Sequence, residues 1–142
     1  MKKFLSVLLL ILFPSIVSGL TYNSELTEFG YYKDVRLKIS DLVNGGCWTN
    51  LKEVREYSEE KIKNSGMTLN DDGSHKFTFL IQSIGRRSDG LCGGQITVGL
   101  YTSVPIIDDV VGLVTVKEVG ITIRDLSFNT KVMDMIGLFF KK

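Results

Sequence analysis

The sequence predicts an α+β fold: a two-layer sandwich in which a mostly antiparallel sheet of four to five strands carries two helices on one face. Three observations predict it. Apolar and polar residues alternate over 35–40, 76–84, 95–104, 113–116 and 119–123, the period of half-buried strands. Two stretches, 50–65 and 127–140, instead repeat their apolar residues at helical spacing. The later strands are grouped between those helices, an order that places helices together on one side of a sheet.

Each element has its own signature. Residues 20–34 are polar and mixed and read as a loose lead-in, despite Tyr22, Phe29, Tyr31 and Tyr32. The first strand, 35–40, ends at a turn over Asn44-Gly45-Gly46. The first helix begins at Asn50, three residues before Glu53, in a capping-box arrangement. Leu51, Val54, Tyr57 or Ser58, and Ile62 form its apolar stripe, and Gly66 stops it. Residues 67–69 read as a short strand, followed by a turn at 70–74. The strand at 76–84 puts Phe77, Phe79 and Ile81 on one face. Residues 85–94, with Arg86-Arg87-Ser88-Asp89-Gly90, read as a loop.

The strand at 95–104 puts Ile96, Val98, Leu100 and Val104 on one side, and 105–112 reads as a connection, with Ile106, Ile107, Val110 and Val111 apolar enough to be partly paired or buried. Lys117-Glu118 breaks the alternation between the last two strand segments, which a bulge or a tight turn explains. Val132, Met135, Ile136, Phe139 and Phe140 stripe the final helix, with Ser127 as its N-cap. The arrangement resembles, in architecture alone, small two-layer assembly modules of the bacterial envelope.

Residues 1–19 read as a secretory signal peptide. Lys2 and Lys3 form a basic head, an apolar run covers 4–17, and Val17 and Gly19 suit cleavage before Leu20. The run is short of the roughly 20 apolar residues of a bilayer-spanning helix and contains Pro14, which favours cleavage over anchoring. No stable membrane span is expected once it is removed. The basic head and leucine-rich core resemble bacterial secretory signals, a pattern eukaryotic signals share, and the destination reads as the periplasm or the medium. One exported domain, 20–142, remains. Lys2 and Lys3 leave with the signal, so a chain of net charge +1 becomes one of about −1. A near-neutral domain has no global field for nucleic acid, and no nucleic-acid partner is expected.

Cys47 and Cys92 are the only cysteines, 45 positions apart. In an oxidising compartment an even count reads as a disulfide. Closing a loop of that length stabilises by about 4 kcal/mol in the chain-entropy model. A redox pair would read C-x-x-C, and a zinc site needs more ligands than one histidine, His75, supplies. No metal and no cofactor are expected.

The chemistry-bearing motifs point away from catalysis. There is no G-x-S-x-G elbow, and His75 sits in a polar turn. Glu59-Glu60, Asp71-Asp72 and Asp108-Asp109 are acidic pairs, but Asp71-Asp72-Gly73 lacks the rest of a calcium loop. Gly45-Gly46 and Gly93-Gly94 flank the cysteines without any phosphate-binding pattern, and read as room for close backbone approach around the disulfide. A Cys47–Cys92 bridge would bring Trp48, Arg86 and Arg87 together, residue types enriched at binding hot spots. Trp48 by itself reads first as core packed over the sulfurs, with an exposed contact residue as the alternative.

The function that follows is a small exported, non-enzymatic protein that binds another protein or an envelope component. The alternatives are a small periplasmic or secreted hydrolase using carboxylates, and a secreted inhibitor presenting the disulfide-held segment 85–94. A pocket with two facing carboxylates would favour the hydrolase, and a protruding ordered loop the inhibitor.

Overall fold

The computed structural model describes residues 28–73, 76–107 and 110–141. The signal segment 1–19, His75 and Asp108-Asp109 lie outside them. Strand β1 is Val35–Asn44, helix α1 Leu51–Asn64, β2 Phe77–Ser88, β3 Leu91–Ile107, β4 Val110–Asp125 and helix α2 Phe128–Phe139. One sheet takes the strands in the order β1-β2-β3-β4. β1 and β2 run parallel, and the β2–β3 and β3–β4 pairs are antiparallel hairpins. Parallel neighbours need a crossover, which α1 supplies.

Alternation decides which face is covered. Val35 and Leu37 on β1, Phe79 and Ile81 on β2, and Ile96, Val98 and Leu100 on β3 are all buried. They meet Val54 and Ile62 of α1 and Phe128, Val132, Met135, Ile136 and Phe139 of α2. Burying one such side chain contributes roughly 1.5–3 kcal/mol. Ser58 lies in the same buried stripe because its hydroxyl donates to the Val54 carbonyl at 2.6 Å. The α+β sandwich read from the periodicities is therefore the fold, with four strands and both helices on one face.

Several local readings change. The lead-in contains a 3₁₀ turn, Phe29–Tyr31, and Phe29 is buried with its ring centroid 5.4 Å from that of Phe139. Residues 67–69 form no strand, only a single parallel bridge from Leu69 to Val35. The segment 85–94 is not a loop. β2 and β3 continue through it to a two-residue turn at Asp89-Gly90, with φ of 52° and 76°. Positive φ at both positions is the type I′ hairpin, and Asp-Gly is its sequence signal. Residues 105–112 are likewise no mere connection, since β3 runs to Ile107 and β4 starts at Val110. β1 also continues to Asn44, where a turn was expected to begin.

The interruption at Lys117-Glu118 is a bulge. Leu100 pairs with Lys117 and Tyr101 with Thr115, so Val116 is the extra residue. One added residue inverts the alternation, and beyond it Val119, Ile121 and Ile123 lie opposite core-facing positions of β3.

Both helices begin where expected, but their caps differ. Neither Asn50 nor Ser127 makes a side-chain cap. Asp125 accepts the Ser127 N–H at 3.0 Å instead. That backbone bond and a second from the Ser127 side chain hold the Asp125 carboxyl below the usual carboxylate range.

Gly85 and Gly94 face each other across β2 and β3. A Cβ on Gly94 would run into the Ile84 carbonyl and stand 2.9 Å from the Gly85 Cα. A Cβ on Gly30 would meet nothing within 4 Å. Gly94→Ala is expected to lower stability by about 1–3 kcal/mol. Gly30→Ala is expected to change it by less than about 0.5 kcal/mol. Urea denaturation of the two variants reads the difference.

Candidate functional site

Cys47 and Cys92 are joined by a disulfide, with Cα atoms 5.7 Å apart. The bridge ties the segment before α1 to the start of β3. Two further contacts hold that segment. Arg87 donates from Nε to the Gly45 carbonyl at 3.0 Å and from Nη2 to the Gly46 carbonyl at 3.3 Å. Asn129 of α2 accepts the Thr49 N–H at 3.0 Å and donates to the Thr49 hydroxyl at 2.8 Å. Segment 45–50 is thus the junction of β2, β3 and α2.

That junction separates the three residues grouped by sequence. Trp48 is buried, 5 % exposed, and belongs to the core with both half-cystines. Arg87 is engaged by the Gly45-Gly46 turn. Arg86 is exposed, and strand alternation sends it to the opposite face of β2 from Arg87. The disulfide brings their backbones close without making Trp48, Arg86 and Arg87 one exposed surface.

Two other features stand out on the surface. The first is on the open face of the sheet, away from the helices. Gln82, Ile84, Gln95, Thr97, Tyr101 and Glu118 line a depression of about 230 Å³. The Tyr101 ring lies over Gly99, where a Cβ would clash with it at 2.6 Å. Its hydroxyl donates to the Glu118 carboxylate. Glu118 reaches this face because the Val116 bulge turns it there. Burial, then the hydrogen bond to Glu118 and that carboxylate's charge, raise the Tyr101 phenol above its ordinary value.

The depression holds a single carboxylate, Glu118. Two wider hollows beside α2, about 480 and 600 Å³, hold one each, Glu28 and Asp134. None of the three presents the facing pair that carboxylate-based hydrolysis requires. Among the described residues no group of three or more His, Cys, Asp or Glu side chains is placed to hold a metal ion.

The second feature is an arm. β2 begins at Phe77, opposite Thr102, so beyond Thr102 β3 is paired with β4 alone. The two-stranded ribbon 103–114 extends past the body by five residues of β3, about 17 Å at 3.4 Å per residue. Ile106, Ile107, Val111, Leu113 and Val114 on it are 60, 68, 62, 63 and 47 % exposed. Between Ser103 and Val116 the only charged residues are Asp108 and Asp109. Sequence reading missed the arm because it took Pro105 as the end of a strand. The run of uncharged β-branched residues on both sides of Asp108-Asp109 was the available signal.

No family model matches the chain, and no curated protein or solved structure matches it. Among the described residues no helix is long and apolar enough to cross a membrane.

The Tyr101–Glu118 contact has a titratable consequence. A phenol whose folded value is raised contributes stability fully below the unfolded value of about 10, and that contribution is lost as pH rises through the folded value. Wild type is therefore expected to lose stability above about pH 10 more steeply than Tyr101→Phe. Ultraviolet titration of both proteins isolates the Tyr101 ionisation. An ordinary midpoint near 10 would contradict the contact.

Proposed function

We propose that the mature chain is an exported, non-enzymatic protein that binds another protein or an envelope component through the arm 103–114. The observation that carries this reading is the exposure of five large apolar side chains on one protruding ribbon. A concentration of exposed apolar side chains marks interaction sites, because leaving apolar surface in water costs roughly 25 cal/mol per Å². Elsewhere among the described residues the exposed large apolar side chains, such as Tyr31, Leu42, Ile84 and Leu126, are dispersed along the chain, and the helices cover one face of the sheet.

The Cys47–Cys92 disulfide supports export, since such bonds persist in oxidising compartments. The basic head and apolar run of residues 1–17 support it independently. The single carboxylate in each of these surface hollows supports binding over carboxylate-based hydrolysis.

Photo-activated cross-linkers placed at Ile107 and Leu113, and at Lys52 and Glu56 on the exposed side of α1, test the reading in the native envelope and secreted fractions. The arm positions are expected to give a discrete adduct and the helix positions none. Equal labelling from both, or none from the arm, would remove the reading. The same purified protein, by mass, is expected to begin at Leu20 with both cysteines oxidised; an intact Met1 or two free thiols would remove export.

A further inference from the structure

We infer that the arm is completed by the arm of a second copy of this chain, the two β4 strands pairing antiparallel about a two-fold axis at Leu113. This rests on the reading of the arm as a binding surface and names what binds there.

The ribbon lacks a third strand. Phe77, opposite Thr102, is the last residue of β2 to reach β3, and β4 is the outer strand of the sheet. A two-stranded hairpin alone in water is marginally stable at best, and strands become stable when a third or fourth joins them. Among the described residues nothing pairs with the outer edge of β4. Its alternate backbone N–H and C=O groups form a row that another strand satisfies in register.

The edge of β4 fits a copy of itself. Residues 110–116 read Val-Val-Gly-Leu-Val-Thr-Val and carry no charge. Laid antiparallel with Leu113 on the axis, Leu113 meets its own copy, Val111 meets Thr115 and Gly112 meets Val114. No like charges face each other across the paired segment, and β-branched side chains pack side by side. The sheet's other edge is a poor match. β1 carries Arg36, Lys38 and Asp41, and its first residue is already engaged by Thr68, Leu69 and Asn70.

A two-fold axis uses every contact twice, so each copy contributes the same three exposed apolar side chains of β4: Val111, Leu113 and Val114. The contact also closes on itself, which stops the pairing at two copies rather than propagating it. Strand addition over so few residues belongs to the small interface class, below about 1,200 Å² in total, which is that of weak, transient association.

Sedimentation equilibrium of the oxidised mature chain from about 1 to 200 μM is the test, spanning the dissociation constants of a weak dimer. Wild type is expected to pass from monomer to dimer in that range. Leu113→Lys sets a charge against its own copy on the axis and is expected to raise the dissociation constant at least about ten-fold, with an unchanged near-ultraviolet circular dichroism spectrum. Leu113→Cys guards against a lysine variant that misfolds. Opposed Cα atoms in an antiparallel pair lie about 4.5–5.5 Å apart, within disulfide reach, so mild oxidation is expected to link two copies.

Wild type that stays monomeric throughout, or a Leu113→Cys variant that does not link, would overturn the pairing. A monomer with arm amides protected from exchange would show the edge covered by its own chain, and also overturns it. A monomer that still cross-links through Ile107 and Leu113 to a different protein overturns self-pairing while leaving the binding reading in place.

Discussion

Phe139 is the side chain on which the body of this protein closes. Its ring centroid lies 5.4 Å from that of Phe29 and 5.0 Å from that of Phe79, and it is fully buried. Phe29 comes before the first strand, Phe79 sits on an inner strand, and Phe139 ends the last helix. One aromatic cluster therefore joins the beginning, middle and end of the described chain. Phe140 adds a further ring 5.3 Å from Phe29 and 5.4 Å from Phe79. Lys117 covers the cluster from the outer strand, with its ammonium 5.0 and 5.1 Å from the Phe29 and Phe139 ring centroids. Burial lowers the Lys117 pKa, and the rings and the Lys141 carbonyl, 3.5 Å away, face its charge.

The Val116 bulge is what makes this closure compatible with everything outside it. Without the extra residue Lys117 would point to the open face and Glu118 to the core. With it, Lys117 caps the aromatic cluster and Glu118 meets the Tyr101 hydroxyl. The bulge also lies at the root of the arm. On one side β4 belongs to the four-stranded sheet; on the other it belongs to a ribbon of two strands with apolar residues on both faces. The body buries a core under its two helices, whereas the arm gathers five exposed apolar side chains on one short ribbon, and that contrast is the basis for assigning binding to the arm.

The fold was legible where a single force set the pattern. Period-2 alternation at Phe77, Phe79 and Ile81 and helical spacing at Val132, Met135, Ile136 and Phe139 both report one-sided burial, and both elements are present. Cys47 and Cys92 were legible because two cysteines allow one intramolecular pairing. Reading faltered where turn chemistry outweighed composition. Asp89-Gly90 turns the hairpin in two residues, but the arginines and glycines around it carry little intrinsic strand preference, so 85–94 looked like a loop. Phe29 was obscured because its partners, Phe139 and Phe140, lie more than a hundred residues away. The disulfide draws the backbones of Trp48, Arg86 and Arg87 towards one another, but which way each side chain points depends on strand alternation through 85–94, which composition does not reveal. The Tyr101–Glu118 contact depends on a bulge whose phase no local pattern reveals.

The folded body and the arm are separable: the first closes through Phe139 and the disulfide, and binding falls to the second. Replacing residues 103–113 by Asn-Gly, so that a two-residue turn joins the paired residues Thr102 and Val114, tests it directly. The shortened protein is expected to retain its Cys47–Cys92 bridge, melt within about 5 °C of wild type, and lose both self-association and cross-linked partners. A shortened chain that fails to fold, or one that folds and still associates as wild type does, would contradict it.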